Sequence, residues 1–130
     1  MTDYLTGIEV LAIHADQIER YGGAPEGQER QGLRDAGLLE AALFRPQTGY
    51  YADLIAEAAA LWESLTRNHV FVDGNKRVGF AATYTFLAIN GRRITADADT
   101  AFAFISDNLD AGTFEFARLE AWLRAHTCEM

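Results

Sequence analysis

The stretch NHVFVDGNKRVGF, residues 68 to 80, lies between two helical patterns, and the reading of the whole chain turns on it. Upstream, Leu54, Ala58, Leu61 and Leu65 recur at helical spacing with Trp62 beside them, and Asp53 stands where an N-cap is expected. Downstream, KRVGFAATYTFLAI follows Asn75 and runs to an Asn90-Gly91 stop. That second run is apolar nearly all round, which predicts a central helix surrounded by others. The segment joining them gathers a histidine, an aspartate, a Gly-Asn turn and two adjacent cations.

The flanks extend the helical reading in both directions. Thr6 and Glu9 fit a capping box, and Ile8, Leu11, Ala12 and Ala15, extended by Ile18, predict the buried face of a first helix stopped by Gly22 and Gly23. A polar, glycine-rich loop follows. Asp35 then caps a short helix carrying Leu38, Leu39, Ala42 and Leu43, which ends before Pro46. After Asn90, residues 92 to 95 predict a short extended piece, and two further helices are expected around 98 to 108 and 114 to 125. With no repeat or linker, residues 1–130 read as one all-α domain of about six helices.

Composition narrows the partners. Apolar residues make up 49% of the chain, enough for a core, and the net charge of −8 argues against direct binding of nucleic acid. Between His69 and Arg93, however, Lys76, Arg77, Arg92 and Arg93 face Asp73 alone. A positive island in an acidic protein fits a small anionic ligand. The single cysteine, Cys128, permits no internal disulfide. No basic-then-apolar leader opens the sequence and no apolar run approaches membrane-spanning length, so the expectation is a soluble, cytoplasmic protein without a membrane partner.

A loop entering a helix presents unpaired N–H groups and the positive end of the helix dipole, an arrangement suited to an anion. Gly74 allows the backbone to turn tightly and approach a phosphate. Lys76 and Arg77 oppose the dipole at a cost of roughly 0.3–1 kcal/mol each, which makes sense if an anion normally lies between them. Lys76 is the only lysine of the chain, a compact point charge unlike the planar arginine fork. His69 can take a proton from a hydroxyl, and Asp73 is a hard oxygen ligand suited to Mg²⁺. A base, a metal ligand and a phosphate cradle are the parts that phosphoryl or nucleotidyl transfer requires.

HVFVDGNKR resembles the signature of the Fic/Doc family, H-x-F-x-[DE]-G-N-[GK]-R. The resemblance extends to YLTGIEVLAIHADQIERYGG, GLRDAGLLEAALFRPQ and FLAINGRR, which look like the Doc, or death-on-curing, branch. It implies His69 as the general base, Asp73 as the Mg²⁺ ligand, Gly74, Asn75 and the following backbone as the anion cradle, Arg77 as a phosphate ligand and Phe71 as structural. Lys76 stands where adenylyl-transferring members carry a second glycine, and Phe80 where they carry a second arginine. Both departures are typical of Doc-like members, and they imply a reversed nucleotide that presents its γ-phosphate.

The implied protein is then a toxin that transfers the γ-phosphate of ATP to a protein hydroxyl, with a threonine of elongation factor Tu as the family target, and so inhibits translation. Family members are often restrained by a helix reading [ST]-x-x-x-E-[GN]. Here Glu26-Gly27 is preceded four residues earlier by Gly22, so restraint is expected in trans, from a Phd-type antitoxin. Two other readings of the same residues stay open: nucleotidyl transfer, as in AMP-adding Fic enzymes, and a catalytically silent protein-binding module. Arg67, two residues before His69, is an accessory candidate that reaches the site or pairs with Glu63. Arg45, Gln47, Tyr50 and Tyr51 are expected on a connection bordering the site, and His14 reads as a satisfied core or surface residue rather than a ligand.

Overall fold

A computed structural model describes residues 2–21 and 33–130. The order is α1 (Gly7–Tyr21), α2 (Ala36–Phe44), a 3-10 turn (Arg45–Gln47), α3 (Leu54–Arg67), α4 (Asn75–Ile89), β1 (Arg92–Ile94), α5 (Ala98–Ala111), α6 (Phe116–Ala125) and β2 (Thr127–Glu129). Among the described residues, six helices and one two-stranded ribbon make an all-α domain, as expected. The glycine-rich loop of residues 22 to 32, with Glu26-Gly27, lies outside the described residues.

Local capping chemistry sets most helix starts. Thr6 N–H donates to Glu9 Oε1 at 2.8 Å and Glu9 N–H to Thr6 Oγ1 at 3.3 Å, the reciprocal pair of a capping box. Asp35 Oδ1 accepts from the amides of Gly37 and Leu38, Asp53 Oδ1 from Ala56, and Asp97 Oδ1 from Thr100. β1 pairs antiparallel with β2, placing Arg92 opposite Glu129 and Ile94 opposite Thr127, so the chain's end closes on the turn that follows α4.

The central helix is α3 rather than α4. From Ile55 to Thr66, α3 is buried on nearly every side, and Trp62 meets Phe80, Phe104, Phe114 and Trp122 at centroid distances of 5.5–5.9 Å. Its alanines let neighbours come close. At Gly79 of α4, a Cβ would collide with Thr66 Oγ1, so glycine is what permits the two helices to seat there. α4 buries Val78, Ala82, Phe86 and Leu87 but leaves Lys76, Tyr84 and Ile89 exposed. Phe80, Ala81 and Tyr84 line a cleft, which is why its sequence reads as buried nearly all round.

α1 also differs from expectation. Val10 and His14 are buried, Leu11 and Ile18 are half-buried, and Ile8, Ala12 and Ala15 are exposed. The buried face is rotated by about one residue, or roughly 100°, from the apolar stripe. The rotation puts His14 in the core because it finds polar and aromatic partners there.

Candidate functional site

Residues 68 to 74 carry the chain from the end of α3 to the start of α4, and few of them belong to a regular element. Their anchors are apolar: Val70 and Phe71 are buried, while Val72 and Asp73 are exposed. Phe71 stacks face to face on His14, with ring centroids 4.0 Å apart and an interplanar angle of 7°. Beside it, His14 Nε2 lies 3.0 Å from the Asp73 carbonyl; a carbonyl only accepts, so Nε2 carries the proton. His14 is thus a satisfied core residue, the structure choosing between the core and surface positions its sequence context leaves open, and it holds the turn from below.

Asn75 closes the loop on itself. Its Nδ2 donates to Phe71 O at 2.9 Å and its Oδ1 accepts from Phe71 N–H at 3.0 Å, so both ends of the amide are engaged by one residue. What Asn75 can offer an anion is its backbone N–H and the second hydrogen of Nδ2. Gly74 is the N-cap of α4 with φ of 82°, a left-handed conformation, and gives no side-chain cap. A Cβ at Gly74 would lie 3.4 Å from Ile18 Cδ1 and 3.8 Å from Arg77 Nη2, so the turn is walled by α1 on one side and by Arg77 on the other. Asp73 Oδ1 accepts from the Gly74 amide at 2.7 Å.

A cleft of about 1380 Å³ opens over this turn. His69, Asp73, Gly74, Asn75, Lys76 and Arg77 all line it, and Arg67 does too. Phe80, Tyr84 and Phe102 continue its wall along α4 and α5. Phe80 belongs to the aromatic cluster, 5.9 Å from Trp62, 5.5 Å from Phe102 and 6.4 Å from Tyr84.

Both readings of Arg67 hold at once. Its Nη1 lies 3.7 Å from Glu63 Oε2 and donates to Phe114 O at 3.4 Å, while the residue lines the cleft. The Arg45 to Tyr51 connection does not line the cleft, contrary to expectation. Arg45 instead turns inward, donating to Tyr51 Oη at 2.7 Å, Glu63 Oε1 at 2.8 Å and Ser64 Oγ at 2.9 Å. It braces the 3-10 turn against α3.

One support is absent from the sequence reading. Arg34 donates from Nε to His69 O at 2.6 Å and from Nη2 to Asn68 O at 3.1 Å. Nothing local marks this residue, because its partners lie about thirty-five positions away.

Among the described residues no group of three metal-ligating side chains exists. The single exposed carboxylate of Asp73 still fits Mg²⁺, which usually takes one or two carboxylates and draws its other ligands from phosphate and water. No helix among the described residues is long and apolar enough to cross a membrane.

Comparison with known proteins agrees with this geometry. The Fic/DOC family model matches residues 4–87, taking in α1 through most of α4. Toxin Doc of Mycolicibacterium smegmatis is 45% identical over 104 residues, covering 76% of this chain and 73% of that protein. Protein kinase doc of Escherichia phage P1 is 33% identical over 90 residues, covering 66% of this chain and 67% of that protein. The signature loop, the helix it feeds and these matches together place the chain in the Fic/DOC family, in its Doc branch.

Proposed function

We propose that this protein is a Doc-like toxin that transfers the γ-phosphate of ATP to a hydroxyl of a protein target. The observation that carries the reading is the convergence on one cleft of His69, Asp73 and the start of α4, with Lys76 and Phe80 in place of the glycine and arginine of adenylyl-transferring members. The relatives' names, a toxin and a protein kinase, support the same direction.

In this reading the α4 amides, Lys76 and Arg77 hold the terminal phosphate, since together they supply oriented N–H groups and two positive charges at one point. His69 accepts the proton of the target hydroxyl as its oxygen bonds to the γ-phosphorus. The bond from that phosphorus to the bridging oxygen breaks, and ADP leaves. Asp73 would hold Mg²⁺, which when bound neutralises phosphate charge. The α-phosphate, flanked by ribose on one side and diphosphate on the other, fits a cradle filled by Lys76 poorly; a terminal phosphate is bulky on one side only.

The family resemblance points to a threonine of elongation factor Tu as acceptor, to arrest of translation as the outcome, and to a Phd-type antitoxin as the restraining partner. The test is labelling of cell extract with Mg²⁺ and ATP carrying the label at either the γ- or the α-phosphate, with His69→Ala beside each. A band of elongation-factor size labelled only from the γ position, and absent with the variant, is the expected result. Label from the α position would replace phosphoryl transfer by nucleotidyl transfer. No His69-dependent label from either would favour a silent binding module.

A further inference from the structure

The last carbonyls of a helix have no partner within it. Where α3 ends, the two carbonyls that follow, those of Asn68 and His69, are both taken by the guanidinium of Arg34, at 3.1 and 2.6 Å. The backbone beside that side chain joins in. The amides of Arg34 and Asp35 both donate to Val70 O, at 2.9 and 3.4 Å, and Leu33 bridges Phe71 antiparallel. Residues 33 to 35 thereby brace residues 68 to 71 along their length.

The brace bears on one unusual residue. His69 has φ of 50°, and among the described residues it is the sole non-glycine with positive φ. Histidine tolerates the left-handed region better than most residues, yet such a conformation persists only where the surroundings over-determine it. The direction of the Cα–Cβ bond, and so the path of the imidazole into the cleft, follows from that backbone setting. A rigid fork of donors suits two neighbouring carbonyls better than a single mobile ammonium does.

We infer that Arg34 is a positioning residue for His69, locking the left-handed turn from which the imidazole enters the cleft. The inference rests on the reading of His69 as the base. Arg34 is not among the residues lining the cleft, and it acts through backbone carbonyls alone. Because its side chain is exposed, its replacement leaves the core intact.

The experiment compares wild type, Arg34→Met, Arg34→Lys and His69→Ala by two readouts. One is the kcat and KM of phosphoryl transfer; the other is the amide shifts and residual dipolar couplings of His69 and Val70 in the free protein. Arg34→Met is expected to lower kcat by about 10–100-fold with KM for ATP unchanged, since misplacement of a reacting group acts on the chemical step. The His69 and Val70 couplings should move while those of α5 do not, and Arg34→Lys should recover part of both effects. A lower melting temperature with kcat and couplings unchanged would reduce Arg34 to a helix cap and overturn the inference. If His69→Ala transfers as well as wild type, the reading of the base fails separately. The couplings then decide alone: unmoved in Arg34→Met they overturn the positioning role, and moved they sustain it.

Discussion

At the start of α3, Asp53 accepts from the Ala56 amide and pairs with Arg124, while Glu57 adds a second acid to the first turn. At the start of α4 a glycine occupies the cap position, no acid lies in the first turn, and Lys76 and Arg77 follow. The first arrangement satisfies the orphan amides and the dipole from within the chain. In the second, among the described residues, no side chain caps the first amides of the helix, and Asp73, bonded to the Gly74 amide, is the acid beside them. Two adjacent helices of similar length thus divide the work, α3 as the packed centre and α4 as the wall of the cleft. The capped helix start lies in the packed centre, and the start without a side-chain cap opens on the cleft.

The contrast can be broken most severely at His69, the proposed base. His69→Ala should reduce transfer by about 10²–10⁴-fold, the usual contribution of a positioned general base, with the loss of melting temperature limited to the strain of alanine at φ of 50° because the side chain is exposed. Equal losses of activity and of folded protein would contradict the division between site and core.

Gly79→Ala tests the seam where the two helices meet. The added methyl would collide with Thr66 Oγ1, and overpacking of this kind costs about 1–3 kcal/mol. Urea titration of wild type and variant measures it, and an unchanged midpoint would mean that the seam yields freely.

The smallest expected effect is at the capped start. Arg124 and the Ala56 amide hold the Asp53 carboxyl below its ordinary value of 3.8. The unfolded chain therefore binds the proton more readily, so the stability contributed by Asp53 is complete above that value and is lost as pH falls through the lower folded value. Asp53→Asn should cost about 0.5–1 kcal/mol at neutral pH, since asparagine still caps but the charge at the helix N-terminus and the half-exposed ion pair are lost. The difference from wild type should shrink below about pH 4. Melting curves across that range check the sign, and a difference that grew on acidification would refute it.

The parts of the molecule legible in the sequence are those written in near neighbours. The Thr6–Glu9 box and the caps at Asp35 and Asp53 are local exchanges of hydrogen bonds, and the structure has each of them. The stretch from His69 to Arg77 is equally local, and its cleft-facing residues could be named from spacing and side-chain chemistry. What was illegible depends on distant partners. The rotation of α1 is fixed by His14 meeting Phe71 and Asp73, and the brace at Arg34 by carbonyls on the far side of two elements. Arg45 lies on a connection expected to border the site, yet Glu63 and Ser64 draw it against α3 instead. The strand Thr127–Glu129 is too short to show a period, and β1 alone gives it a partner.

The central claim is that the uncapped start of α4 is built for the phosphates of a nucleotide. Calorimetric titration of MgATP into wild type and Lys76→Glu tests it most directly. The substitution places an acid in the first turn and should stabilise the free protein slightly, by about 0.3–1 kcal/mol, while MgATP affinity falls at least about tenfold. Equal affinity in the two proteins would place the phosphates elsewhere and contradict the account.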